Sequence, residues 1–225
     1  MSKKYQFLYE VPDDVTSKDY QHYPNVVNAA AKVVKKLINN QEVVTIAEMQ
    51  SGKTEVMKRL IYLIRYYNSS VKKLGVDVDK YNVYLVICVS SLNLKNQHKS
   101  KLPEIKNRIY HLNDLCSILK NEIEHDSLLT AMSDSSLIIF DECHCDAEQQ
   151  KIIDRFRNLL VCYAERNKTK YHAVGFSATP YEQIMAGYAK VIMKPGKKYY
   201  GIKQMFDSIE NMDSDSIPVL FQAKN

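Results

Sequence analysis

The chain has 225 residues, enough to bury a sizeable core as one large domain or two small ones. Hydrophobic content of 45%, charged content of 25% and a formal net charge of +5 are those of an ordinary soluble globular protein. The cation excess is too mild for a dedicated basic nucleic-acid arm, although it permits a polyanionic partner.

The N-terminus, MSKKYQFLYEVPDD, has two lysines with no apolar stretch behind them, unlike a secretory signal. No apolar run approaches the roughly 18–20 residues that span a membrane. Five cysteines, an odd number in a chain without an export signal, point to free thiols in a reducing compartment such as the cytoplasm. Cys143 and Cys145 flank His144, so zinc is an alternative there. A second ligand pair is missing, however, and only Cys162 lies nearby.

In chain order, Pro24 introduces NVVNAAAKVVKKLIN (25–39), whose apolar residues recur at helical spacing. EVVTIA (42–47) is short and β-branched, as in a buried strand. KTEVMKRLIYLIRYY (53–67) returns to the helical period, and NSSVKKLGVDVDKYN (68–82) reads as a loop punctuated by Gly75. YNVYLVICVS (81–90) is nearly all apolar, the pattern of a strand covered on both faces. Further strands are expected at 108–112, 137–141, 171–179 and 191–194, with helices between them. This alternation implies an α/β domain with a mostly parallel sheet and helices on both faces. Ligands of such sheets gather beyond the C-terminal ends of the strands.

Two motifs fall at such ends. AEMQSGKT (47–54) follows the phosphate-loop pattern with Ala47 in place of its first glycine. Backbone N–H groups from Gln50 through Ser51 to Thr54 can wrap a phosphate at a helix start. Gly52 allows close approach, Lys53 brings charge to the β/γ-phosphates, and Thr54 offers a hydroxyl to Mg²⁺. The alternative is a plain helix start capped by Ser51. SSLIIFDECHC (135–145) runs four apolar residues into two acids. Asp141 there can hold Mg²⁺ and Glu142 can deprotonate an attacking water. The alternative is an acidic helix cap, a role Asp146 could equally fill.

D-E-C-H resembles the Walker B motif of the DExH helicases and translocases of superfamily 2, many of which also open their phosphate loop with Ala. VSSLNLKNQ (89–97) resembles the family's motif Ia, implying that Ser91, Asn93 and Gln97 meet nucleic acid; a plain strand-to-helix turn is the alternative. GFSATP (175–180) resembles motif III, implying that Ser177 and Thr179 link the nucleotide and nucleic-acid sites, with His144 connecting Walker B to them. Its alternative is a strand-end turn closed by Pro180. The four motifs keep the family's order across roughly residues 47–180.

The resemblance implies a RecA-like P-loop ATPase domain over residues 42–194, with ATP and Mg²⁺ as cofactors. Residues 1–41 would be an N-terminal extension and helix, and 195–225 the start of a linker or missing second domain. The family's base-reading glutamine is matched loosely by Gln21, with Asn25 nearer the expected spacing. No motif Ib pattern is evident between 106 and 120. The second RecA-like domain, which carries the arginine finger, has no room here, so it is expected in the same longer chain or in a partner subunit. SATPY with the later KPGKKYYG loosely resembles phage and bacterial ATPases associated with restriction endonucleases, which favours DNA over RNA as substrate. KPGKKYY (194–200) could stack on and neutralise nucleic acid, or be a solvated basic turn. A rival function is a stand-alone nucleotide-dependent module that docks on a helicase or nuclease.

Overall fold

The computed structural model describes residues 3–10, 23–47, 51–142, 146–178 and 189–193. Six strands form one sheet: β1 (Glu42–Ile46), β2 (Val83–Ile87), β3 (Ile109–His111), β4 (Ser136–Asp141), β5 (Tyr171–Ser177) and β6 (Ala189–Ile192), in the order β3-β2-β4-β5-β1-β6. Every pairing is parallel. This is the α/β architecture expected of a RecA-like domain.

The near-continuous apolar strands follow from coverage on both faces. On β2, Val83, Leu85 and Ile87 join one core, while Tyr84, Val86 and the adjoining Cys88 join the other. On β4, Leu137 and Ile139 face the first core and Ile138 and Phe140 the second. A side-chain period of two puts alternate residues on opposite faces, so both sets must be apolar.

Helices α1 (Pro24–Leu37), α2 (Lys53–Tyr66) and α3 (Asn68–Lys73) supply the first core. The second core is supplied by α5 (Leu112–Lys120), α6 (Asp126–Ser133) and α7 (Ala147–Asn167). Between them in sequence, α4 (Leu92–Lys101) follows β2, and a 3-10 helix, Pro103–Arg108, leads into β3. Fully burying a side chain such as Phe140 or Phe156 contributes about 1.5–3 kcal/mol. No helix among the described residues is long and apolar enough to cross a membrane.

Residues near the N-terminus share the first core. Leu8, in a 3-10 helix spanning Lys3–Leu8, is fully buried, as are Ala30, Val33 and Val34 of α1. Arg59 on α2 is also buried and donates to the carbonyls of Leu8 and Glu10, tying that segment down.

The structure corrects one local reading. Part of the loop expected over 68–82 is helix α3. The polar run Asn68, Ser69, Ser70 conceals its one buried contact, Val71, which is followed by buried Leu74, Val76 and Val78. Asn68 donates to the Val78 carbonyl at 2.7 Å and braces the turn. Gly75, with φ +97°, then turns the chain out of the helix.

Candidate active site

Because all six strands are parallel, their C-terminal ends lie along one edge. Register puts Ile46 beside Ser177, Asp141 beside Phe176, and Ile87 beside both Asp141 and His111. Backbone bonds continue the level: Ala47 N–H to the Ser177 carbonyl at 3.0 Å, and Cys88 N–H to the Asp141 carbonyl at 3.0 Å. β5, which ends at Ser177, therefore stands between the strand leading to GKT and the strand ending in Asp-Glu. Ser177 itself is fully buried.

Gly52 is the N-cap of α2, with φ +100° and ψ 28°. Few side-chain-bearing residues adopt that conformation, so a residue without Cβ is needed there. The N-cap falls on a residue with no side chain, and the alternative of a plain start capped by Ser51 does not describe this helix. The first N–H groups of α2 have no intrahelical partner, which is the usual raw material of an anion site. Lys53 opens the helix, and Thr54, half-buried, follows it.

Lys53 Nζ forms an ion pair and hydrogen bond with Glu142 Oε1 across 89 positions of sequence. Both side chains are largely shielded from solvent, so their attraction is stronger than that of a surface pair. Glu142 has φ +52°, a left-handed conformation uncommon for a residue with a side chain and of the kind that concentrates at functional sites. The helix-cap alternative for the acid pair falls to Asp146, whose carboxylate accepts from Glu148 N–H at 3.0 Å and Gln149 N–H at 2.9 Å. Asp141 and Glu142 are thus left for other work.

Asp141 is buried, and its Oδ2 lies 2.9 Å from His98 Nε2 on α4. Its Oδ1 has no hydrogen-bond partner among the described residues. Sequence reasoning missed His98. The signal was available, because Leu94 and His98 of α4 and Leu102 just past its end recur at four-residue spacing along its inward side. A histidine in such a line, 43 positions before a strand-end acid, is unremarkable until the sheet order is known.

Of the residues matched to motif Ia, Ser91 caps α4 by accepting from Leu94 N–H at 3.2 Å, while Asn93 and Gln97 are exposed on its outer surface. On the same helix Lys95 pairs with Asp114 at 2.6 Å, and His111 Nδ1 reaches the same carboxylate oxygen at 2.6 Å. Burial pushes the Asp114 carboxyl up, but hydrogen bonds from Lys95 and His111 outweigh it and leave its pKa below the ordinary value. Burial raises the Tyr84 and Tyr110 hydroxyls above their usual range.

Gln21, Gln50, His144 and Thr179 lie outside the described residues, as do Cys143, Cys145, KPGKKYY (194–200) and the C-terminal PVLFQAKN. Cys162 is exposed on α7. The described residues contain no cluster of three or more His, Cys, Asp or Glu side chains able to hold a metal. Magnesium needs no such cluster, being held by one or two carboxylates with waters and phosphates. The open buried Oδ1 of Asp141 and the Thr54 hydroxyl are hard oxygen donors of the type it takes.

No protein-family model matches the chain. An uncharacterized protein of Acanthamoeba polyphaga mimivirus is 61% identical over 222 residues, covering 99% of this chain and 56% of the relative. The chain thus spans little more than half the length of the curated relative it matches. Among solved structures, one of the DUF1998 helicase MrfA bound to DNA and AMPPNP is 15% identical, covers 80% of this chain and 30% of MrfA, and has a TM-score of 0.47. A second MrfA structure is 14% identical over 87% of this chain and 33% of its own, with a TM-score of 0.49.

Proposed function

We propose that the chain is the first RecA-like motor domain of a DExH-type helicase or translocase, binding and hydrolysing ATP with Mg²⁺ and acting on nucleic acid, DNA in preference to RNA. The observation that carries this reading is the Lys53–Glu142 pair, which joins the start of the GKT helix to the acidic strand end.

Lys53 carries the positive charge for the β- and γ-phosphates. Its contact with Glu142 opens when phosphate oxygens replace the carboxylate, freeing Glu142 to accept the proton of the attacking water. Asp141 and Thr54 hold magnesium, which when bound neutralises charge developing on the phosphates. Ser51 and Gly52, with Gln50, line the phosphate loop, and Gln21 reads the base. Ser177, Thr179 and His144 couple the site to nucleic acid held at Ser91, Asn93 and Gln97. Hydrolysis here is mainly positioning, and an arginine from a facing domain adds about 10³–10⁵ in rate. Turnover by this chain alone is therefore slow, and the facing domain comes from a longer chain or a partner subunit.

The test is steady-state ATP hydrolysis at fixed low salt, with single-stranded DNA, duplex DNA or RNA. The expected result is stimulation by one polymer and a loss of about 10²–10⁴-fold in Glu142→Gln. A chain that binds no ATP, or whose turnover survives Glu142→Gln, overturns the proposal.

A further inference from the structure

We infer that His98 is a positioning residue that aims the Asp141 carboxylate and transmits occupancy of the outer surface of α4 to it. The inference rests on the proposed nucleotide site at Asp141. The side chains of His98 and Asp141 are 4% and 6% exposed, so water competes little for their contact. A carboxylate only accepts, so His98 Nε2 carries the proton and donates it to Oδ2. That bond leaves Oδ1 as the carboxylate's open acceptor among the described residues. An acceptor left open at this depth is costly unless a ligand fills it.

Asp141 is gripped twice. Its carbonyl accepts from Cys88 N–H at the end of β2, and its side chain is held by α4, the helix that follows β2. On α4 Leu94 and His98, with Leu102 just past its end, form the inward line packed against the core, and Lys95 pairs with Asp114. The opposite surface offers Asn93, Asn96 and Gln97, all exposed amides suited to phosphate or base edges. One helix of ten residues carries both His98 and the amides. A ligand that shifts α4 through the amides moves the donor that orients Asp141, and by linkage nucleotide binding shifts the amides in return.

The test compares His98→Gln with His98→Asn in the 225-residue chain. The two amides match in polarity, but only the longer can put an N–H where Nε2 stands. A fluorescent non-hydrolysable ATP analogue is titrated with magnesium or with EDTA, and with or without a single-stranded DNA oligonucleotide. In the wild type, magnesium and oligonucleotide should each raise analogue affinity by about 5-fold or more. His98→Gln should keep both effects. His98→Asn should lose both, to below about 2-fold, with its affinity in EDTA unchanged. Gln97→Ala should weaken oligonucleotide binding and leave the magnesium effect intact. Equal behaviour of the Gln and Asn variants overturns the inference while the nucleotide site stands. A wild-type chain that binds no analogue overturns the proposed function, and the inference with it.

Discussion

Replacing Gly52 by alanine tests the phosphate loop through its backbone. At φ +100° and ψ 28° a side-chain-bearing residue pays about 1–2 kcal/mol for the left-handed conformation. A Cβ at Gly52 would lie 3.5 Å from Met193 Cε and 3.6 Å from Val26 Cγ2, ordinary contact distances, so crowding adds nothing. Gly75 makes the matching control, with φ +97° and nothing within 4 Å of its Cβ position. In a domain of this size 1 kcal/mol corresponds to about 2–4 °C, so a variant that keeps the left-handed conformation should melt about 2–8 °C below the wild type. Only Gly52→Ala should also affect nucleotide. Where Gly52→Ala instead relaxes out of the left-handed well, the same cost falls on forming the cradle and weakens ATP binding by about 5–30-fold. Calorimetry and nucleotide titration read the two effects separately. A Gly52→Ala chain that melts with the wild type and binds ATP as tightly would refute the cradle and the left-handed conformation it needs.

Two further substitutions probe packing and pH. Arg59→Ala removes the donor to the Leu8 and Glu10 carbonyls, at a cost of about 1–3 kcal/mol, so limited proteolysis should cut within residues 3–10 sooner than in the wild type. His172 is held below its ordinary pKa of 6.5 chiefly by burial, against smaller upward pulls from the Asn40 backbone and Asp77. The unfolded chain therefore takes the proton first. Stability is full above pH 6.5 and falls as pH drops toward the folded value, by about 1.4 kcal/mol for each unit of depression. Denaturant unfolding at pH 7.5 and 5.5, as chosen assay conditions of about those values, should show a smaller acid loss in His172→Phe than in the wild type.

Much of the local structure could be read directly from residue order. Pro24 and the apolar spacing after it mark α1, and the β-branched run marks β1. The nearly all-apolar run that holds the strand at 83–87 announces coverage on two faces. These signals survive in one dimension because helix and strand periods are properties of neighbouring residues. Helix α3 escaped because a single buried Val71 in a polar run is too little periodicity to detect.

The candidate site divides the same way. The order of GKT, Asp-Glu and Ser177 along the chain was legible, and parallel strands deliver such strand-end groups to one edge. Their partnerships were not. Lys53 meets Glu142 across 89 positions and His98 meets Asp141 across 43, and both depend on which strands lie side by side. The tertiary structure likewise assigned the helix cap to Asp146 and left Asp141 with an oxygen that is open among the described residues. Residue order by itself determined the alternating elements and the chemical groups at their ends. Only the strand order β3-β2-β4-β5-β1-β6 decided which groups touch, because contact is set by neighbours in the sheet rather than in the chain.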